Sequence, residues 1–484
     1  MARYPAMTAI HRTFVIIFMI AIVFPIAYWE SIAQAVRIWA GSGTYNYCFA
    51  ILPLSLYMLW RNRTTFVETP PAFDLRGVII AFGASLGWGA AALSGVAELA
   101  QFGAVAVLQG CVIATLGWPL YRRNATAFLY WFLMVPTGAA LLAPLQSLTA
   151  KIGTAGLSLV SIPVFRDGLR LESPSGDFLV APGCAGLNFL LAGLAVAIAV
   201  GELYQESVRR RLALVLAMAG VGILGNGLRV SLIIAIAQWT GSSSVIDDHL
   251  LLGWVLFSLL MLTVLAIDAR IPGPARPAPR PLPALAAPAH SRAATLALPL
   301  AVAAIPALLW LAPSPAAIPL AAPALTCGPL ASLPARDAAK LAAAADGDAA
   351  IACDSAAGPL QIEIALLDRP VRQTKLIGFE RHWADKGWER LSVTQLEVGG
   401  PDGPLPVRAE QWENGGAAVT VWSLFWADRH WRAGGWQAAA ADLRSDLFGE
   451  RRSALFQLRL AGSGPAADSV LGAYLAAQPL PEIR

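Results

Sequence analysis

Up to about residue 312 the chain alternates long apolar runs with short polar breaks. The runs lie near 13–30, 44–60, 77–96, 102–120, 125–143, 184–205, 212–239, 249–268 and 294–312. About 20 apolar residues in a helix cross a ~30 Å hydrocarbon core, so this pattern predicts nine transmembrane helices. One further stretch, APLQSLTAKIGTAGLSLVSIPVF (143–165), is apolar enough to tempt a tenth. After 312 the pattern changes to charged, Trp-rich and Gly-rich segments typical of a water-soluble domain. There AAVTVWSLFW alternates as a strand does, and WQAAAADLRSDLF has helical composition. The predicted architecture is a polytopic all-α membrane bundle of about nine transmembrane helices, followed by a small α/β soluble domain on the outer face.

Composition supports this class. The 484 residues are 57% hydrophobic and 14% charged, where globular chains carry about 25% charged residues. The formal charge of +4 and the lack of a long Lys/Arg run set nucleic acid aside as a partner and leave the lipid bilayer. Basic loops give the orientation, because Lys and Arg are retained in the cytoplasm. RNR (61–63), YRRN (121–124), RRRL (209–212) and DARIPGPARPAPR (268–280) all fall inside if the N-terminus is inside and nine spans are counted. A span at 143–165 would put RRRL outside, so this stretch reads as an amphipathic helix lying on the outer surface. Ala33 and Ala35 form an A-x-A signal, but the long run before them ends in Trp29, an interface anchor, and reads as an uncleaved anchor. RIPGPARPAPRPLPALAAPAHSRA (270–293) reads as a semi-rigid linker. The expected divisions are a multispanning unit at 1–270, a cytoplasmic linker at 271–293, a transmembrane tether at 294–312 and a soluble domain at 313–484.

Against this topology, polar residues at membrane depth become informative. Cys184 stands at the mouth of VAPGCAGLNFLLAGLAVAIAVGEL, behind Pro182 and Gly183. Arg229 is the one interior charge of its span, and Asn226 precedes it by three residues, on the same helical face. His249 opens the next span. Parity brings all three reactive side chains to the outer side, on consecutive spans. Each also has a plain structural reading: a small buried hydrophobe for the cysteine, an interfacial cap for the histidine. Arg229 is harder to explain as structure, since an intramembrane Arg needs a partner or a wet cavity. Jointly they suggest nucleophilic chemistry. Cys184 would attack as its thiolate, favoured by a helix N-terminus and a nearby cation. His249 would act as base and then acid, Arg229 would stabilise an oxyanion, and Asn226 would orient Arg229 or the peptide. One tension is depth: Arg229 precedes Gly241 by twelve residues, about 18 Å at 1.5 Å per residue. The site must be recessed, or that helix must protrude. No metal-ligand cluster or cofactor motif stands out, and His11, His249, His290, His382 and His430 are too scattered to form one.

VAPGCAGLNFLLAGLAVA, then GNGLRVSLIIAIA, then DHLLLGWVLFSLLM resemble the exosortases, multispanning membrane cysteine transpeptidases or proteases. The resemblance runs from about 30 to 270. It implies Cys184, Arg229 and His249 as the catalytic residues. Ala185 stands where members commonly have Ser, and Tyr47 where a histidine is frequent. DKGWERLSVTQLEV and the segment from VTVWSLFW to ALFQLRL resemble the periplasmic domain that accompanies exosortases. The family implies the bacterial inner membrane, with active site and C-terminal domain facing the periplasm. It also implies substrates with a short motif, commonly Pro-Glu-Pro, then a transmembrane helix and a basic tail. A second class stays open: a non-catalytic membrane component of exopolysaccharide export. Cys48 and Cys111 fall in spans and read as structural. Cys327 and Cys353 fall in the outer domain, where an oxidising compartment permits a disulfide.

Overall fold

The first apolar run does not form one rod. In the computed structural model, helix α1 (Tyr4–Ala27) breaks at Tyr28 and α2 (Trp29–Gly41) leaves at 75°. Pro25 has no N–H for the ladder. The fully buried Tyr28 fixes the corner: its hydroxyl donates to the Val302 carbonyl at 3.1 Å and shares a second hydrogen bond with the Ser85 hydroxyl at 2.8 Å. Ala33 and Ala35 lie inside α2, not in the extended backbone of a cleavage site. The structure describes residues 4–311 apart from 94–95, 139–140, 181, 205–206, 241–248 and 272–291. Beyond 311 it describes 325, 336–337, 347–368, 388–434, 441, 452–477 and 480, apart from 356–357, 402, 415–416 and 428.

Next come α3 (Cys48–Arg61), α4 (Thr64–Glu68), α5 (Leu75–Leu93), α6 (Ala97–Leu116), α7 (Trp118–Arg123) and α8 (Ala125–Leu129), the last extended by a 3-10 turn to Met134. Then follow α9 (Leu142–Leu159), a small sheet, α10 (Leu187–Tyr204), α11 (Val208–Thr240), α12 (His249–Arg270) and α13 (Arg292–Leu311). Every expected run contains a helix, but the helices differ in length. Among the described residues five helices are long and apolar enough to cross a membrane, or six if α1 and α2 make one broken span. Cys48–Arg61 and Ala125–Met134 are apolar but short. A 14-residue helix is only about 21 Å long at 1.5 Å per residue. Apolar character, which sequence records, and helical length, which turns and caps decide, are different quantities.

The α10–α11–α12 unit positions the site. Glycines let α10 and α11 pack antiparallel: a Cβ at Gly222 would fall 2.8 Å from Leu190 Cα, and one at Gly193 3.4 Å from the Met218 carbonyl. At one end, Arg210 pairs with Asp268 at 3.0 Å and Arg211 pairs with Glu202, tying the three helices together. The helices are unequal: α10 has 18 residues and α11 has 33. At 1.5 Å per residue α11 is about 50 Å long, some 20 Å more than a bilayer core needs.

That excess is covered. The doubtful stretch forms α9, which is not among the helices apolar and long enough to span. It packs lengthwise on α11. Thr149 meets Asn226, Ile152 meets Gly227, and Gly156 meets Ser231, so the two helices run in the same sense. Three short strands then form an antiparallel sheet, β1 (Phe165–Asp167), β2 (Arg170–Ser173) and β3 (Gly176–Leu179). The buried Leu171 of β2 joins Leu157 of α9 and Ile234 of α11 in one apolar cluster.

The C-terminal domain is built on β4 (Arg336–Asp337), β5 (Gly347–Ser355), β6 (Gly358–Asp368), β7 (Glu389–Gly400), β8 (Gly403–Asn414), β9 (Ala417–Ala427), β10 (His430–Arg432) and β11 (Arg452–Ala461). The sheet order is β4-β5-β6-β11-β9-β8-β7, with β10 folded back on β9, and each pairing is antiparallel. AAVTVWSLFW is strand β9, as expected. WQAAAADLRSDLF lies outside the described residues except for Ala441. The described helix, α14 (Pro465–Ala477), follows the last strand and packs Leu471, Tyr474 and Leu475 on Leu360, Ile362, Leu424 and Phe456. Among the described residues the domain is an antiparallel sheet with helix α14 packed on one face. Cys353 is disulfide-bonded; its expected partner, Cys327, lies outside the described residues.

Candidate active site

Cys184 ends a 3-10 turn, Pro182–Cys184, and α10 begins three residues later. The turn exists because Gly186 adopts φ +76°, a left-handed conformation that suits glycine. A side chain there would also collide with Asn226, its Cβ 2.6 Å from Asn226 Cγ. Gly186 therefore brings the start of α10 directly onto the middle of α11.

Three of the four expected site residues meet at this junction. Arg229 Nη2 donates to Cys184 Sγ at 3.3 Å. Asn226 Nδ2 donates to the Cys184 carbonyl at 2.6 Å and to Thr149 Oγ1 on α9 at 2.9 Å. Asn226 thus holds the backbone of the cysteine, while Arg229 meets its sulfur. Both are 2% exposed, whereas Cys184 is half-buried. The depth tension resolves through helix length. Because α10 is short, its N-terminus lies level with the middle of α11, where Arg229 is; the rest of α11 rises beside α9 and the small sheet.

His249 is the first residue of α12, and its side chain lies outside the described residues. One turn further along, Gly253 is buried against Arg229: a Cβ there would fall 3.0 Å from Arg229 Cδ and Nη1. Phe189 of α10 completes the enclosure, with the guanidinium carbon 5.8 Å from its ring centroid. Phe189 itself stacks on Phe257 at 4.7 Å and meets Trp254 edge-on at 5.8 Å, both on α12. Thr149, Gly186, Phe189 and Gly253 carried no signal in the sequence; a threonine, a phenylalanine and two glycines are ordinary residues in apolar helices. Cys48 and Cys111 are buried, Cys48 Sγ against the Leu133 carbonyl at 3.5 Å.

A buried cation without a counter-charge is costly. Arg229 Nε and Asn226 Oδ1 are buried with no hydrogen-bond partner among the described residues. The junction therefore offers a guanidinium, an unused donor and an unused acceptor around one thiol. Such an arrangement suits a group that becomes anionic at sulfur, or at an oxygen beside it.

These helices define a multi-pass membrane protein that buries an arginine against a cysteine. Residues 39–266 match the family model of the transmembrane exosortases, and this segment of the chain is similar to that family. No curated protein and no solved structure matches the chain.

Proposed function

We propose that the protein is a membrane-embedded cysteine peptidase or transpeptidase that cleaves the C-terminal sorting tail of exported proteins. The observation that carries this reading is the 3.3 Å approach of the buried Arg229 guanidinium to the Cys184 sulfur. A cation at that distance favours the thiolate, the nucleophilic form. The thiolate attacks the scissile carbonyl and forms the C–S bond. Arg229, through the donors it has in reserve, holds the oxyanion of the tetrahedral intermediate. Collapse breaks the C–N bond, and His249 gives the leaving amine its proton. The product is a thioester on Cys184, which a surface acceptor or water then resolves. Asn226 and Thr149 position the cysteine backbone throughout.

The substrate is a protein tail with a short motif, a transmembrane helix and a basic cytoplasmic end. The protein is an inner-membrane component in bacteria, its active site and C-terminal domain face the periplasm, and it works with exopolysaccharide or cell-surface assembly. The family supports these assignments, and the start of α10, which holds Cys184 level with the middle of α11, suits a peptide held at the membrane. The charged residues of the small sheet, among them Arg170, Glu172 and Asp177, suit a water-facing cover over the outer part of α11.

The test is processing of a co-expressed tagged tail. Cys184→Ala should abolish it, and Arg229→Ala and His249→Ala should each lower the rate at least ~10²-fold, the scale of one lost oxyanion donor or acid–base group. Full processing by Cys184→Ala protein at normal expression level would refute the peptidase reading.

A further inference from the structure

The three-stranded sheet ends in the strand that leads to the nucleophile. β3 finishes at Leu179, five residues before Cys184. Its hydrogen-bond phase is fixed, because the Val180 N–H donates to the Leu169 carbonyl at 3.1 Å. Opposed residues in an antiparallel pair alternate between bonded and non-bonded. Leu171 and Phe178 therefore form a bonded pair, whereas Arg170 with Leu179, and Glu172 with Asp177, do not. The main-chain groups of Asp177 and Leu179 consequently point away from β2, along the outer edge. Among the described residues no strand pairs with that edge. An open row of N–H and C=O groups is a template for another extended chain.

The direction of β3 matters as much as its edge. Leu171, opposite Phe178, packs with Leu157 and Ile234, far along α9 and α11. Val180, in the same cluster, also accepts a hydrogen bond from Gln146 Nε2 at 2.9 Å, near the start of α9. The strand thus runs back along α11 toward Cys184, in the sense in which α10 then departs.

We propose that the outer edge of β3 is the substrate subsite. The tail peptide adds to it as a fourth strand, parallel to β3, held by the main-chain groups of Asp177 and Leu179. This rests on the peptidase reading above. A substrate whose apolar helix descends beside α10 must run in that sense, and a parallel strand carries its scissile carbonyl to Cys184. Strand addition takes affinity from backbone groups and leaves side chains to confer selectivity, which suits one enzyme acting on many tails.

The experiment uses the full-length protein in liposomes with a synthetic tail, a Pro-Glu-Pro segment and the residues before it followed by an apolar helix. One non-proline backbone amide at a time is replaced by an ester, which deletes an N–H and keeps the side chain. The expected result is a rise in KM of about fivefold, the size of one hydrogen bond, at alternate residues only. Equal losses at consecutive residues, or none, overturn the proposal. In the protein, Leu179→Pro deletes an outward N–H that β2 does not use, a position where an edge strand tolerates proline. It should raise KM about fivefold above that of Leu179→Ala, which loses the same side chain but keeps the N–H. An unchanged KM in Leu179→Pro, or an equal rise in both variants, also overturns it. Alkylation of Cys184 by a small thiol reagent at the wild-type rate verifies that Leu179→Pro is intact at the site; if that rate falls, the ester series on the wild-type protein decides. Failure of the underlying reading is distinct: it is processing retained by Cys184→Ala protein.

Discussion

A guanidinium that is 2% exposed can keep its charge only if its surroundings compensate it. Around Arg229 the described compensation is the Cys184 sulfur and the face of Phe189, so small displacements there should reach the chemistry. Gly253 gives the test. A methyl at this position would stand 3.0 Å from Arg229 Cδ and Nη1 and 3.3 Å from Phe189 Cζ, so the arginine must yield by a few tenths of an ångström. Gly253→Ala should slow tail processing about tenfold, equivalent to ~1.4 kcal/mol in the barrier, with protein level unchanged. Processing at the wild-type rate would mean that the position of Arg229 tolerates such a shift. Cys184, Asn226 and Arg229 were legible in the sequence because reactive or charged residues in apolar runs are costly and therefore conspicuous. Thr149 and Gly253 were not, because their roles arise from which helix packs where. His249 could be named as a candidate from its place at the start of a span, and the helix it opens packs against Arg229 one turn later.

At the scale of elements, apolar runs mark where helices form but not how far they extend. Tyr28, Pro25 and Ser85 divide the first run, and α11 lengthens well beyond the others. The fate of 143–165 was decided by contacts that no local pattern encodes: glycines 153, 156 and 227 allow α9 to lie along α11. In the C-terminal domain the β-branched and aromatic run of β9 marked a strand, and it is buried on both faces: Trp422, Leu424 and Trp426 share the cluster with α14, and Val419 and Val421 pack with Trp412. That packing has a measurable signature. Tyr474 of α14 is 3% exposed, and burial pushes its hydroxyl up to about 12. In the unfolded chain a tyrosine ionises near 10. The folded domain therefore holds the proton more tightly, so its stability is complete below pH 10 and declines as the pH rises through 12. Tyr474→Phe should flatten this alkaline loss in thermal unfolding followed by tryptophan fluorescence between about pH 8 and 12. An identical slope in the variant would show that other groups set the alkaline limit.

At the scale of the whole molecule, the change of hydropathy near residue 312 falls between the helical part and the C-terminal β-sheet domain, for which an α/β domain was expected. Orientation depends on loop charge instead, and is open to direct test. Reporter fusions after residues 62, 122, 209 and 280 should report cytoplasm, and fusions near 170, 244 and 330 the outer compartment. A cytoplasmic signal at 170 would put the small sheet and Cys184 on the wrong side for an exported substrate. The central claim is that Cys184 becomes covalently acylated by the tail it cleaves. Full-length protein mixed with the tail substrate and quenched in acid should carry, by mass analysis of its peptides, the upstream fragment as a thioester on Cys184, released by hydroxylamine. That adduct should be missing from Cys184→Ala protein and scarce in Arg229→Ala protein. Cleavage that proceeds with no adduct on Cys184, and equally well in Cys184→Ala protein, would contradict the account.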